Sequence, residues 1–232
     1  MSQIAEGILS GALSNGRDRL NELEALELCS AYSIPVARTR LSTRVEDAVE
    51  YAEAIGYPVV LKVVAPEIVH KSDVGGVVTG IYSPDGVRRA YDDIIGKLSS
   101  RASIKGVLVQ EMIPTGTEVI VGLVIDPQFG PVLMFGLGGI FVEVMEDISF
   151  RIIPIDTSDA YEMITEIKGH SLLEGARGRR AVDMKSIVDV LLKVSRLASD
   201  NLLVGELDLN PVIVSESGSK VADARVILRR VE

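Results

Sequence analysis

Two stretches of this chain carry side chains that could handle phosphate or a metal ion. In the first, Lys62 is the single charge within the apolar run Val59, Val60, Leu61, Val63 and Val64. So many β-branched residues in succession read as a strand buried on both faces. An ammonium in such a strand must be paired or must reach an anion, because burying it alone is strongly unfavourable. Two readings are open for it, a structural ion pair and a phosphate ligand. Downstream lies a polar loop with His70, Lys71, Ser72 and Asp73, closed by Gly75 and Gly76. Paired glycines let backbone N–H groups approach a phosphate, and a neutral imidazole is nucleophilic near pH 7. A solvated histidine at the tip of an ordinary hairpin is the competing reading.

The second stretch is GELDLNP, where Glu206, Asp208 and Asn210 alternate with Leu207 and Leu209. A period of two puts the three oxygen-bearing side chains on one face of a strand and the leucines on the other. A turn at Ser217-Gly218 would bring Asp223 back to within one strand pair of Asn210. Oxygen-only donors suit magnesium better than zinc or copper, and a solvated sheet face is the alternative. Between the two stretches, GPVLMFGLGGIFVE is punctuated by Gly136, Gly138 and Gly139, which implies a close backbone approach. It is not a dinucleotide fingerprint, since the third glycine of G-x-G-x-x-G would fall on Phe141, and no G-x-x-x-x-G-K-[ST] run exists.

The elements needed to hold these residues alternate between helix and strand. Residues 17–32 have helical apolar spacing, residues 35–41 read as a short strand, and Ser42 or Thr43 would cap a helix that ends at Gly56 and feeds the Lys62 strand. Ser83-Pro84-Asp85 opens another helix to about Leu98, and Ile104–Glu111 returns as a strand. After Pro114-Thr115-Gly116 the texture becomes β-rich, with strands at 118–125, 131–135, 141–145 and 150–155, helices at 161–167 and 183–197, and final strands at 203–214 and 220–228. Met1–Gly16 is interrupted by Gly7, Gly11 and Gly16 and reads as an entry segment or short helix. The expected class is α/β, as two α+β lobes that share a cleft.

With 232 residues, 47% of them hydrophobic, and a mean hydropathy of +0.29, the chain can fill two real cores. A formal charge of -9 argues against a general nucleic-acid partner. The absence of an apolar run of about 18 residues, and of a basic-then-apolar leader, leads us to expect neither a membrane span nor a targeting signal. Cys29 is the single cysteine, so no internal disulfide forms and a reducing cytoplasm is expected. We expect Cys29 to be a core residue.

Taken in order, YPVVLKVVAPEIVHKSDVGGV, VLVQEMIPTGTEVIVG, GPVLMFGLGGIFVE and GELDLNPVIV make nearly the whole chain resemble the ATP-grasp β subunit of the ADP-forming acyl-CoA synthetases, acetyl-CoA synthetase in particular. The β subunits of succinyl-CoA synthetase are similar at greater distance and carry a further C-terminal domain. The resemblance implies an ATP-grasp fold whose two lobes hold the nucleotide cleft, with subdomains at 1–111 and 112–232. It implies an ADP-forming acid–thiol ligase of the acetate–CoA type, in which acyl-CoA, ADP and phosphate give the acid, CoA and ATP, with ATP/ADP and Mg²⁺ bound. It implies an α subunit that binds CoA and the acyl substrate, bears a phosphohistidine, and is required for activity, in an α2β2 cytoplasmic enzyme with neither nucleic-acid nor membrane partners.

Position by position, the same resemblance implies that His70 relays a phosphoryl group and that Asp208 orients the incoming phosphohistidine. Lys62 matches the ligand of the nucleotide phosphates, with Gly75 and Gly76 as a loop above them. Gln110, Glu111, Met112 and Ile113 match the hinge that reads adenine, and Glu118 the carboxylate on the ribose. Gly138, Gly139 and Arg151 would line the phosphoryl end, and Asn210 and Asp223 would ligate magnesium. The glycine loop is shorter than in succinyl-CoA synthetases and lacks their arginine. His170 reads as structural, and Lys168, Arg177, Arg179 and Arg180 as a basic patch that is either solvated or meets CoA or the α subunit. Two other classes remain open: a stand-alone ATP-grasp carboxylate ligase, and a non-catalytic nucleotide-binding regulatory subunit.

Overall fold

The computed structural model of the chain describes residues 3–68, 71–139, 147–175 and 180–229. They divide into two compact units, Ala37–Pro114 on its own, and Met1–Val36 together with Thr115–Glu232. The chain opens with helices α1 (Gln3–Ser14) and α2 (Glu22–Ala31). Despite its glycines, α1 is a full helix, because Ala5, Leu9 and Ala12 recur at helical spacing and are all completely buried. Gly7 and Gly11 have nothing near an added Cβ, so they lie on the outer face, where each costs about 1 kcal/mol of helix propensity that packing offsets. A reciprocal capping box between Asn21 and Glu24 starts α2.

The smaller unit then follows: β1 (Thr39–Ser42), α3 (Val45–Ile55), β2 (Val59–Val64), β3 (Val77–Ile81), α4 (Pro84–Leu98) and β4 (Gly106–Glu111). Its four strands form an antiparallel sheet in the order β1-β4-β2-β3. Period two sorts the central strands cleanly. Val59, Leu61 and Val63 of β2, with Val107 and Val109 of β4, share a core with Ala48 and Ala52 of α3 and Val87 and Ile94 of α4. Val60, Lys62, Leu108 and Gln110 therefore occupy the other face. All are buried, as expected for a strand covered on both sides. Ser83 caps α4 by accepting from the Gly86 N–H, with Pro84 in the first turn. The cap expected at Ser42 or Thr43 is instead Arg44, which makes no side-chain capping bond.

The larger unit continues with β5 (Thr117–Asp126), β6 (Gly130–Leu137), β7 (Ile148–Ile152), α5 (Thr157–Glu166), a 3-10 turn (Lys168–Leu172), α6 (Met184–Asp200), β8 (Val204–Ser215), β9 (Gly218–Val221) and β10 (Ala224–Leu228). The sheet order is β10-β8-β5-β6-β7, with β9 also paired to β8. Val119, Val121 and Leu123, Leu133 and Phe135, and Leu207 and Leu209 pack beneath the helices in one core. That core also takes Ala5, Leu9, Leu26, Leu28 and Cys29, and Leu20 N–H donates to Val226 O at 3.1 Å. The first 36 residues therefore belong with the second sheet, whereas a division at 111/112 would attach them to the first. The strand expected at 220–228 is two strands with Ala222 and Asp223 between them, and the strand expected at 141–145 lies outside the described residues. Among the described residues no helix is long and apolar enough to cross a membrane.

Candidate active site

The β8 stretch folds as its alternation requires. Leu207 and Leu209 are buried, while Glu206 and Asn210 are exposed and Asp208 is half-buried on the face away from the helices. Register places Gly122 of β5 beside Asp208 on one side and Arg225 of β10 on the other. Burial raises the Asp208 carboxyl pKa above its ordinary value, and the Arg225 charge opposes this. One step along, Asn210 N–H donates to Asp223 O at 3.2 Å, which makes these two residues neighbours across the β8–β10 pair. The expected juxtaposition of Asn210 and Asp223 is therefore present.

A β-bulge sharpens the local geometry at this point. Val119 pairs with Val212 and Val121 with Leu209, so Asn210 and Pro211 together oppose Ile120 alone. Proline cannot donate to the ladder, and a bulge is where a sheet accepts it and re-aims the adjoining side chain. Pro211 O still accepts from Ala222 N–H at 3.0 Å.

The open face of this sheet can be read as successive rows about 7 Å apart. The first holds Gly138, Glu118 and Ile213, with Gly138 N–H donating to Glu118 O at 2.7 Å. An added Cβ on Gly138 would lie 2.8 Å from Glu118 Cβ, so glycine is required for this approach, and Gly139 follows with φ +69°. The second row holds Ile148, Gly136, Ile120, Asn210 and Asp223, and the third Phe150, Met134, Gly122, Asp208 and Arg225. Glu118, Asn210, Asp223 and Asp208 thus share one surface in sequence.

Arg151 does not join them. On β7 it pairs with the buried Leu133 on the helix side of the sheet, and its guanidinium donates to both Glu166 oxygens at 2.8 and 2.6 Å and to Glu162 at 3.3 Å. These carboxylates raise its pKa. A role at the phosphoryl end is replaced by a structural one, tying β7 to α5. His170 sits in the 3-10 turn, its Nδ1 2.9 Å from Ile167 O. The buried Asp147 caps that turn by accepting from the Lys168 and Gly169 N–H groups, each at 2.7 Å. Arg180 pairs with Glu216 at 3.0 Å, Arg177 and Arg179 lie outside the described residues, and Cys29 is fully buried with its thiol pushed up to about 12.

In the smaller unit Lys62 is only 8% exposed, between Val77 of β3 and Leu108 of β4. At the end of β4 most polar groups are already engaged. Gln110 Nε2 donates to Thr39 Oγ1 at 3.0 Å, Glu111 N–H to Arg38 O at 2.8 Å and Met112 N–H to Pro58 O at 3.2 Å. Arg38 returns a bond from Nε to Glu111 Oε2 at 3.1 Å. Ile113 N–H is the first amide beyond the strand that has no partner among the described residues. The Gln110 and Glu111 side chains and the Met112 N–H thus each already take part in one bond within the unit. Sequence reasoning missed Arg38, which holds Glu111 from the segment just before β1, far away in the chain, and follows no local pattern.

The glycine pair differs from expectation. Gly75 N–H donates to Ser72 O at 3.2 Å and Gly76 N–H to Lys71 O at 2.7 Å, so both amides close their own loop and neither is directed at a ligand. An added Cβ on Gly76 would fall 2.6 Å from Val63 Cγ1, and Gly75 has φ +72°. The pair is needed for turning and packing. His70 lies outside the described residues.

Comparison with known proteins places this geometry in context. The ATP-grasp domain model matches residues 11–228. The subunit beta of ADP-forming acetate–CoA ligase II from Pyrococcus furiosus is 46% identical over 96% of this chain and 97% of its own length. ADP-forming acetate–CoA ligase I of Archaeoglobus fulgidus is 48% identical over 97% of this chain, which spans only 33% of that longer protein. Acetyl-coenzyme A synthetase 1 of Ca. Korarchaeum cryptofilum, solved with coenzyme A and Ca-AMPCP, superposes with a TM-score of 0.95 at 49% identity, covering 97% of this chain and 100% of that one. The same enzyme has also been solved with Mg-AMPPCP and its phosphohistidine segment pointing towards the nucleotide-binding site. The chain belongs to the ATP-grasp family, within the group formed by the β subunits of ADP-forming acetate–CoA ligases.

Proposed function

We propose that this chain is the nucleotide-binding β subunit of an ADP-forming acyl-CoA synthetase, which together with an α subunit converts acyl-CoA, ADP and phosphate to the acid, CoA and ATP. The observation that carries the reading is the ordered set Glu118, Asn210 with Asp223, and Asp208 on one sheet face. Asn210 and Asp223 offer oxygen donors only, and among the described residues no group of three or more His, Cys, Asp or Glu could hold a metal. That donor set fits magnesium, which takes one or two protein oxygens and completes its shell with phosphates and water. When bound, Mg²⁺ would neutralise charge on the nucleotide phosphates.

The chain's own groups act around the transferred phosphoryl. In the ATP-forming direction the P–N bond of a phosphohistidine breaks and a bond forms to a terminal oxygen of ADP, the electron pair returning to the imidazole. Asp208 accepts a hydrogen bond from the ring N–H and so orients the donor. Lys62 balances phosphate charge, Glu118 holds the ribose hydroxyls, and the backbone at Met112 and Ile113 reads adenine. His70 serves as a second phosphoryl carrier between the α histidine and ADP. The subunit naming of the relatives supports an α partner, and the single cysteine supports a reducing cytoplasm for the assembly, whose stoichiometry we take as α2β2.

Phosphohistidine detection tests the reading. The chain is incubated with its α subunit, Mg²⁺ and ATP, then analysed by mass spectrometry at alkaline pH, beside a coupled assay of ATP formation from acetyl-CoA. Phosphate on His70, and at least a hundredfold loss of ATP formation in His70→Ala, are expected. An unphosphorylated His70, with His70→Ala at the wild-type rate, would remove the relay. ATP turnover without any α subunit would instead indicate a stand-alone ligase, and nucleotide binding without turnover a regulatory subunit.

A further inference from the structure

The chain enters the smaller unit at Ala37 and leaves it at Pro114, and the residues beside these two crossings are tied to each other. The β1–β4 register ends at Thr39 and Gln110. One step further, Glu111 N–H donates to Arg38 O at 2.8 Å. In a regular antiparallel pair the return bond would go to a backbone carbonyl, but here Arg38 N–H and Nε both donate to Glu111 Oε2, at 3.3 and 3.1 Å. Beside it, Gln110 Nε2 donates to Thr39 Oγ1 at 3.0 Å, and that hydroxyl donates to Ala37 O at 2.9 Å. Three consecutive residues of the entering chain thus hold two of the leaving chain, immediately before Met112 and Ile113.

Stability alone does not account for this arrangement. The Arg38 side chain is 61% exposed and that of Glu111 15%, and an ion pair with one member so open to water adds little. What it fixes is direction. With its carboxylate bonded to both the backbone and the side chain of Arg38, Glu111 is kept from swinging away from β1, and Met112 follows with its N–H on Pro58 O at 3.2 Å. The backbone here is braced from both sides, by the residues that lead into β1 and β2. We infer that Arg38 is a positioning residue for the nucleotide, holding the backbone of Met112 and Ile113 through Glu111 at the place where the base is read. The inference rests on the functional reading above, in which that backbone reads adenine. A hydrogen bond to a base needs its backbone partner fixed in place and angle, and a residue that touches only the support can supply this.

Arg38→Ala tests the inference, with Arg38→Lys as the variant that keeps a cation beside Glu111 if the truncation fails to fold. ADP binding to the chain alone is measured by calorimetry, together with that of ribose 5-diphosphate, which has the phosphates and the sugar but no base. KM for ADP and kcat are read from ATP formation from acetyl-CoA with the α subunit. Arg38→Ala is expected to weaken ADP about tenfold in both Kd and KM, and Arg38→Lys about threefold, because an ammonium does not reproduce the guanidinium geometry. The kcat at saturating ADP and the affinity for ribose 5-diphosphate should stay within about twofold of wild type. In a Glu111→Ala background, Arg38→Ala should change ADP affinity by less than about twofold. ADP affinity within about twofold of wild type in the folded variants overturns the inference, as does an equal loss for ribose 5-diphosphate or an undiminished effect in the absence of the Glu111 carboxylate. A wild-type chain that binds no ADP, or that holds ribose 5-diphosphate as tightly as ADP, defeats the functional reading instead.

Discussion

The two units use the same device with opposite charge. Each is an antiparallel sheet with one face sealed by helices and polar residues on the other. In the smaller unit that face offers a cation, Lys62, inside an otherwise apolar strand. In the larger it offers oxygen donors, Asp208, Asn210 and Asp223, on exposed or half-buried sites. The difference teaches that burial is a poor guide to which polar group serves chemistry. What Lys62, Asp208 and Asn210 have in common is placement on a central strand, β2 or β8, with a neighbouring strand on each side.

If the oxygen face holds the metal, its loss should have the largest effect. Asn210→Ala with Asp223→Ala is expected to lower kcat/KM for ADP by about a hundredfold to a thousandfold, with a steep rise in the Mg²⁺ needed for half-maximal rate. Wild-type Mg²⁺ dependence would reject these residues as ligands. Lys62→Met tests the cation. A phosphate ligand predicts a loss of turnover of about a hundredfold in a variant that remains folded. A structural ion pair predicts instead a loss of about 3–5 kcal/mol from breaking it.

The glycines sharpen the comparison at smaller scale. Gly76→Ala is expected to cost about 1–3 kcal/mol in urea unfolding, from overpacking against Val63, and an unchanged midpoint would mean that the loop gives way freely. Asp208 should produce the smallest effect. Because burial raises its folded pKa, its protonated form favours folding. That contribution is complete below the ordinary aspartate value of about 3.9 and is lost as pH rises through the raised folded value. Urea midpoints of Asp208→Asn should therefore gain on wild type as pH rises across this interval, and parallel curves would contradict the shift.

Local periodicity made the strand alternation legible, including the β8 leucines, the Asp208 face and the Asn210–Asp223 neighbourhood. Features closed by distant partners were not legible in the same way. Val63 decides why Gly76 is glycine, Glu162 and Glu166 decide where Arg151 points, and Arg38 decides what Glu111 does. The N-terminal helix was obscured because its glycines lie on the outer face, and its attachment to the second sheet depends on contacts with strands far along the chain. Family resemblance supplied the roles proposed for His70 and Glu118, which no spacing in this sequence assigns.

The bulge at Asn210 and Pro211 bears on how β8 tolerates editing. Before it the inward residues are Leu207 and Leu209, and after it Val212 and Val214, so the parity of the strand changes there. Deleting Pro211 would leave an unbroken alternation with the same four side chains facing the core. The packing code therefore reads equally well without that residue. Deleting Asn210 would restore the alternation equally, so the hydrophobic pattern is indifferent to either residue of the bulge, and the extra residue is what sets the metal-ligand candidate at the point where the strand changes parity.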